Sequence, residues 1–313
     1  MRKLRIVFMG TPDFAVPCLD RLVRDEHQII AVVTQPDRPK GRGRHFTPSP
    51  VKEYAQEYNL PVLQPEKIKD PGFMEQLAVL QPDVIVVVAF GQFLPQRLLD
   101  LPSLGCINVH ASLLPKYRGA APIHWAIMNG ETSTGVTTMY MDSGMDTGDM
   151  ILKRETPISP DENTGQLHDR LSSLGAGLLA QTLELAVENK APRTPQNSEE
   201  ASYAPLLTRQ IEAIDWKRSA MEIHNQVRGL NPWPGAYCLY NDRTLKIWRT
   251  HIQETVGIFA APGCIVAVER DCLLVAAGNG TICIDEVQPQ NKRRMGVGDF
   301  STGYRVNAGE ILE

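Results

Sequence analysis

The chain has 313 residues, of which 42% are hydrophobic and 22% are charged, and its formal net charge is −4. This length exceeds that of one ordinary core, so two domains are expected. A negative net charge excludes a general attraction for nucleic acid or anionic lipid, so any site for a polyanion must be local. The apolar run within residues 1–10 is too short for a signal peptide or a membrane span, which predicts a cytoplasmic protein with no membrane partner.

Apolar runs and amphipathic stretches alternate through the first half of the chain. Strands are predicted at 4–8, 29–34, 84–89, 106–110 and 134–141, and helices after Asp13, after Pro50 and over 167–187. This alternation predicts an α/β domain over residues 1–189, with a Rossmann-like, doubly wound and mostly parallel sheet.

The pattern changes after residues 190–206, a stretch of prolines and mixed polar residues that predicts a linker. Short strand-like runs at 236–240, 244–248, 264–268, 273–276 and 281–284 are separated by turn residues, which predicts a small β-barrel domain over 207–313. The six cysteines form no C-x-x-C pair and have no histidine at zinc-ligand spacing, so we predict reduced packing residues and no metal.

The most informative motif is N-V-H-A-S-L-L-P-K-Y-R-G, residues 108–119. Residues two apart on a strand share a face, so Asn108 and His110 point together. An amide donor and an imidazole aimed at one point could stabilise an oxyanion and move a proton, as acyl transfer requires. The alternative is that His110 is a hydrogen-bonded histidine at a strand end and Asn108 a turn residue.

Three carboxylates and two glycines are concentrated in M-D-S-G-M-D-T-G-D-M, residues 141–150. A carboxylate from this loop could orient His110 and stabilise its protonated form. A calcium loop is disfavoured because the distal glutamate and the ligand spacing are missing. A solvated glycine-rich turn remains the alternative.

The segment 35–50 is locally basic, since it contains Arg38, Lys40, Arg42 and Arg44, and Lys52 follows it, with only Asp37 opposing them. Cations on a loop suit phosphate contacts, although a merely solvated loop is the alternative. A dinucleotide site is disfavoured because G-T-P-D-F-A, residues 10–15, lacks the second glycine that close approach of a pyrophosphate needs.

These motifs together resemble those of the folate-dependent formyltransferases. N-x-H-x-S-L-L-P and a later glycine-flanked aspartate are both intact, and G-T-P-D-F-A, T-Q-P-D-R-P-K-G-R-G-R at 34–44 and N-P-W-P-G-A at 231–236 extend the similarity over nearly the whole chain. The branch that it resembles most acts on methionyl-tRNA. The resemblance implies transfer of a formyl group from 10-formyltetrahydrofolate to the α-amine of methionyl initiator tRNA, by a protein that we expect to be monomeric.

The resemblance also implies roles for particular residues. The catalytic residues would be Asn108, His110 and Asp146; the folate site would include Ser112, Leu113, Leu114, Pro115, Phe90 and Asp142; and the methionyl group would lie near Thr11, Pro12 and Phe14. Simple helix packing is the alternative for Phe14. The basic segment would engage the tRNA, with Arg42 foremost, and an OB-like second domain would help to hold it.

Other functions remain open at this point. A formyltransferase for an amino-sugar nucleotide shares the catalytic motif, and a hydrolase of the same folate would use water in place of the amine. A non-catalytic RNA-binding protein would leave the catalytic residues unexplained. The tryptophans Trp216, Trp233 and Trp248 could stack on bases, although burial within a small barrel is the commoner role of tryptophan.

Overall fold

The computed structural model describes residues 2–40, 45–253 and 260–313. The chain forms two compact units: unit 1 comprises Met1–Gly119, Thr134–Thr156 and His168–Tyr203, and unit 2 comprises Ala120–Ser133, Pro157–Leu167 and Ala204–Glu313. No helix within the described ranges combines the length and the apolar character that crossing a bilayer would need.

Strands and helices alternate through the first 187 residues. In chain order they are β1 (Arg5–Gly10), α1 (Val16–Arg24), β2 (Gln28–Val33), β3 (Arg38–Lys40), β4 (His45–Thr47), α2 (Pro50–Glu57), β5 (Val62–Leu63), α3 (Pro71–Val79), β6 (Val84–Val88), α4 (Gln96–Leu99), β7 (Cys106–His110), β8 (Arg118–Gly119), α5 (Pro122–Met128), β9 (Ser133–Tyr140), β10 (Met150–Pro157) and α6 (Thr164–Val187).

The main sheet of unit 1 has the strand order β10-β9-β7-β6-β1-β2-β5. The strands from β7 to β5 are mutually parallel, whereas β9 runs antiparallel to β7. Every residue of β6 and β7 is buried, and β6 is a continuous apolar run, as expected of a strand that is covered on both faces. The predicted doubly wound, mostly parallel sheet is therefore confirmed, and β7 has the predicted bounds.

Unit 2 is dominated by antiparallel strands. The remaining elements are β11 (Tyr203–Ala204), α7 (Arg209–Glu212), α8 (Ala220–Gly229), β12 (Ala236–Tyr240), β13 (Arg243–Gln253), β14 (Ile265–Val268), β15 (Leu273–Ala276), β16 (Thr281–Pro289), β17 (Met295–Gly296) and α9 (Val297–Tyr304). The sheet has the order β12-β13-β16-β15-β14, and β17 pairs with β16. The antiparallel sheet of unit 2 confirms the prediction of a β domain in the second half of the chain.

Helix α8 begins with a capping box, which the strand-based analysis of this half did not identify. The Ser219 side chain accepts from the backbone of Glu222, and the Glu222 carboxylate accepts from the backbone N–H of Ser219. Such a reciprocal pair satisfies two helix-end donors. Trp216 and Trp248 are buried, as expected of tryptophans in a small β domain, whereas Trp233 is 42% exposed.

The prediction that all cysteines are reduced and unpaired is wrong for Cys272 and Cys283. These two form a disulfide, with their Cα atoms 5.5 Å apart. The cause is tertiary, because the antiparallel pairing of β15 with β16 brings together residues that are 11 positions apart in the sequence. Cys18, Cys106, Cys238 and Cys264 are free.

Candidate active site

Asn108 and His110 occupy the carboxyl end of β7, in the middle of the unit 1 sheet. Asn108 is in register with Val87 of β6 on one side and with Met139 of β9 on the other. The two side chains share one face and are 8% and 6% exposed. Ligands of doubly wound sheets bind outside the carboxyl ends of the strands, so this position suits a reaction centre.

The Asn108 side chain makes no hydrogen bond to protein within the described residues, and the residue is 8% exposed. Its polar atoms are not among the fully enclosed ones that lack a partner, so solvent or a ligand can pair with them. An amide held in this way on a rigid central strand is available to donate to a bound molecule.

His110 is fixed by its Nε2 atom, which lies 3.0 Å from the backbone oxygen of Tyr117. Because a carbonyl can only accept, Nε2 carries the proton of the neutral ring. The other nitrogen, Nδ1, lies 3.7 Å from Oδ2 of Asp146, which is longer than a hydrogen bond but close enough for an ion pair once the ring is protonated. In this tautomer Nδ1 carries the lone pair of the ring and faces the Asp146 carboxylate.

The Asp146 carboxylate is oriented by the backbone. Its Oδ2 atom accepts a hydrogen bond of 2.8 Å from the N–H of Gly119, the last residue of β8. Asp146 itself has a φ of 54°, in the left-handed region that costs most residues roughly 1–3 kcal/mol. The loop 141–150 therefore holds this carboxylate against His110 in a backbone conformation that other contacts must maintain.

Two residues that the sequence analysis missed provide those contacts. Gln196 donates from Nε2 to the backbone oxygens of Asp146 and Gly148, at 2.8 Å each. Arg118, which is 3% exposed, donates from Nε and Nη2 to Oε1 of the same glutamine, at 3.0 and 2.8 Å. Arg118 is part of the 108–119 motif and could have been considered from the sequence, whereas nothing marks Gln196 within the polar stretch 190–206.

Asp142, predicted for the folate site, is exposed and organises its own loop. Its Oδ1 atom accepts from the backbone N–H of Gly144 at 2.9 Å and from the Thr147 hydroxyl at 2.7 Å. The side chains of these two aspartates therefore have different contacts. Asp146 faces His110, and Asp142 stabilises the turn that precedes Asp146.

The predicted folate stretch, residues 112–115, is tied to β9. The Thr137 hydroxyl donates to the backbone oxygen of Ser112 at 2.7 Å and accepts from the N–H of Leu114 at 3.1 Å. Ser112, Leu114 and Pro115 are buried, and Leu113 is the half-buried member. The Ser112 hydroxyl donates to the oxygen of Lys116 at 2.6 Å, so it holds the turn after β7.

The Thr11 side chain contacts the backbone oxygen of Phe90. This oxygen lies 3.5 Å from the Thr11 hydroxyl and accepts a hydrogen bond of 3.1 Å from Nε2 of Gln35. The Phe90 ring is 2% exposed and belongs to the core beside β6. Gly10 precedes Thr11, and a Cβ there would lie 2.8 Å from that of Ala15, so only glycine allows this close turn.

Phe14 and Pro12 border α1. The Phe14 ring is 6% exposed and its edge faces His168, with ring centroids 5.3 Å apart, while Pro12 is half-buried. In this structure the Phe14 side chain is mainly a packing residue beside His168.

The basic segment is only partly described. Arg38 is exposed on β3, which pairs with β4 in an antiparallel hairpin that also includes Lys40. Arg42 and Arg44 lie outside the described residues. Lys52 differs from the arginines, because its Nζ atom lies 2.6 Å from Oδ2 of Asp37 and this pair neutralises both charges.

Two family descriptions match most of the chain. Residues 4–183 match the family described as formyl transferase, and residues 206–305 match the family described as formyl transferase, C-terminal domain. Among solved structures, WlaRD, a sugar 3N-formyl transferase, shares the fold with a TM-score of 0.68 and 21% identity over 94% of this chain and 100% of its own. HypX from Aquifex aeolicus, in complex with tetrahydrofolic acid, has a TM-score of 0.66 and 16% identity over 100% of this chain and 51% of its own.

Curated relatives are much more similar in sequence. The methionyl-tRNA formyltransferase of Desulforamulus reducens is 54% identical over 99% of this chain and 98% of its own. That of Clostridioides difficile is 52% identical over 99% of this chain and 100% of its own. The chain therefore belongs to the methionyl-tRNA formyltransferase branch of the formyltransferase family.

Proposed function

We propose that the chain transfers the formyl group of 10-formyltetrahydrofolate to the α-amino group of methionyl initiator tRNA, in the cytoplasm and as a monomer. Residues 1–189 would form the catalytic domain, residues 190–206 the linker, and residues 207–313 the domain that helps to bind tRNA. The observation that carries the proposal is the arrangement on β7, where an unpaired amide of Asn108 accompanies a His110 whose Nδ1 faces the Asp146 carboxylate.

The reaction begins when the neutral amine attacks the formyl carbon, which forms a C–N bond and a tetrahedral intermediate with an oxyanion. The Asn108 amide donates to that oxygen as its charge develops, and such a donor typically contributes about 3 kcal/mol to lowering the barrier. Because the donor is already in place, the protein does not reorganise when the charge appears.

Proton transfer is assigned to Nδ1 of His110. The Tyr117 carbonyl holds the proton of the neutral ring on Nε2, so Nδ1 can accept the proton that the attacking amine loses. The Asp146 carboxylate stabilises the imidazolium. Nδ1 then returns the proton to the departing folate nitrogen as the bond from that nitrogen to the formyl carbon breaks. The products are the formylated amine and tetrahydrofolate, with no covalent enzyme intermediate.

Substrate binding is assigned to three groups of residues. The folate group comprises Ser112, Leu113, Leu114, Pro115, Phe90 and Asp142, of which Leu113 is half-buried and Asp142 is exposed. Thr11, Pro12 and Phe14 border the methionyl group. Arg38, Lys40, Arg42 and Arg44 contact tRNA phosphates.

A substrate comparison tests the function. The purified chain and 10-formyltetrahydrofolate are incubated with charged initiator tRNA, with an aminodeoxy-sugar nucleotide, or with water alone, and formylated product and released tetrahydrofolate are quantified. We expect turnover with the charged tRNA only. Faster turnover with the sugar nucleotide, or release of formate without an acceptor, would replace the proposal by one of the two rival activities.

A substitution at Asn108 tests the role of its side-chain amide. Asn108→Ala should lower kcat by roughly two powers of ten, the scale of one oxyanion donor, with an unchanged circular dichroism spectrum. A correctly folded Asn108→Ala variant with parental kcat would remove this residue from the mechanism.

A further inference from the structure

Four side chains of the kinds that bind transition metals share one face of the unit 2 sheet. His251 lies on β13, Cys283 and Asp285 lie two residues apart on β16, and Cys272 immediately precedes β15. His251 is directly opposite Cys283, and Leu273, which follows Cys272, is opposite Ile284. Three neighbouring strands therefore direct these side chains to the same place.

The donor atoms converge. One ligand atom each of His251, Cys283 and Asp285 lies within 4.8 Å of the others. Nδ1 of His251 is 2.9 Å from Oδ1 of Asp285, and Sγ of Cys283 is 3.7 Å from the same oxygen. The Cys272 Cα is 5.5 Å from that of Cys283. A tetrahedral zinc ion with bonds of about 2.0–2.3 Å separates its donors by roughly 3.3–3.8 Å, which is close to the spacing within the group His251, Cys283 and Asp285. The sulfur of Cys272 lies outside that group while it is bonded to Cys283, and rotation of its side chain after reduction would complete the set.

The surroundings suit a bound ion. Cys272 and Cys283 are buried at 7% and 0% exposure beside Leu274, whereas the side chain of His251 is 49% exposed and leaves a path from solvent. The two oxygens of Asp285 have different partners, since Oδ1 faces His251 and Cys283 while Oδ2 lies 3.4 Å from Nε of Arg249. Arg249 would thus orient the carboxylate from outside, as outer partners of metal ligands do.

We propose that Cys272, Cys283, His251 and Asp285 bind one Zn²⁺ when the two cysteines are reduced. Two sulfurs, one imidazole nitrogen and one carboxylate oxygen form a tetrahedral set that favours zinc over Mg²⁺ or Ca²⁺, which prefer all-oxygen sites. All four positions are filled by protein, as in structural zinc sites. The site lies in a different unit from Asn108 and His110, and it is independent of formyl transfer.

The zinc-bound state and the disulfide exclude each other. A dithiol or phosphine reductant supplies two electrons that cleave the Cys272–Cys283 bond, and two protons give two thiols. Zn²⁺ then displaces both thiol protons and binds the thiolates. Reoxidation by an added small-molecule disulfide, which takes up the two electrons and is cleaved to two thiolates, re-forms the Cys272–Cys283 bond, removes two ligands and releases the ion.

Cobalt provides the probe, because Co²⁺ occupies zinc sites and Co²⁺–thiolate bonds absorb strongly in the near ultraviolet. The full-length protein is reduced, freed of reductant without oxygen, and titrated with Co²⁺. We expect one Co²⁺ per chain with thiolate absorption that Zn²⁺ abolishes, and no such absorption in the oxidised protein.

Variants assign the ligands. Cys283→Ser and Cys272→Ser should lose the thiolate absorption, and His251→Ala should weaken Co²⁺ binding by at least about tenfold. Cys264→Ser, a free cysteine of the same unit, is the matched control and should bind as the parent does. Circular dichroism shows which variants fold, and the His251→Ala result stands even if a cysteine variant does not.

Two results would overturn the proposal. One is a reduced, folded protein that shows no Co²⁺–thiolate absorption. The other is equal Co²⁺ binding by the parent and by folded Cys283→Ser and His251→Ala variants, because the ion would then be held elsewhere.

Discussion

Replacing Asp146 by asparagine tests the electrostatic part of the mechanism with little change of shape. The asparagine side-chain oxygen can still accept the hydrogen bond from the Gly119 backbone, so the loop keeps that contact. Only the negative charge beside His110 disappears. The variant therefore separates the charge of this side chain from its structural role.

The size of the effect follows from the distance. Two unit charges 3.7 Å apart, the separation of Nδ1 and Oδ2, interact by about 4 kcal/mol at an effective dielectric constant of about 20. The Asp146 side chain is 18% exposed, so solvent screens part of this energy and about 2–3 kcal/mol remains. If this energy stabilises the imidazolium in the transition state, kcat falls roughly 30- to 150-fold.

The assay is single-turnover and steady-state formylation of charged initiator tRNA at saturating folate. Asp149→Asn is the control, because it removes the same charge from the same loop at a residue whose carboxylate faces Arg193. We expect its kcat to stay within about twofold of the parent, as for most surface charges. If Asp146→Asn retains more than a third of the parental kcat, or if both variants lose equally, the charge of Asp146 does not act through His110.

Three further predictions concern other parts of the chain. Gln196→Ala removes both hydrogen bonds to the 141–150 loop. It should lower kcat by roughly ten- to a hundredfold with little change in KM, because small displacements of catalytic groups are costly. A change confined to KM would contradict a positioning role. Arg42→Ala should weaken initiator tRNA binding and reduce the slope of log affinity against log salt by about one, as loss of one phosphate contact does, and a parental slope would refute phosphate contact. Burial lowers the pKa of His224 below its usual value near 6.5, so the folded state favours the neutral ring. The stability that this contributes should be retained above pH 6.5 and lost as pH falls below it. In urea unfolding, the His224→Gln variant should therefore lose less stability than the parent between pH 7 and 5.5.

Periodicity and composition were enough to predict the architecture of this protein. Strands buried on both faces require continuous apolar runs, and such runs can be seen without knowledge of the partner strands, so β6 was predicted to within one residue of its bounds. Asn108 and His110 could be paired because strand geometry is local. Asp146 could be added only through the family resemblance, since its distance from His110 depends on how a loop folds back over the sheet.

The tertiary structure decided what depends on contacts between distant segments. Gln196 is one polar residue among many in 190–206, and only folding places its amide against the loop that presents Asp146. Lys52 seemed to belong to the basic segment, yet the fold pairs it with Asp37. Cys272 and Cys283 had no motif, because strand register rather than spacing brings them together. Sequence patterns record the contacts that a residue makes along its own helix or strand, whereas contacts across elements depend on the register and packing of the whole domain.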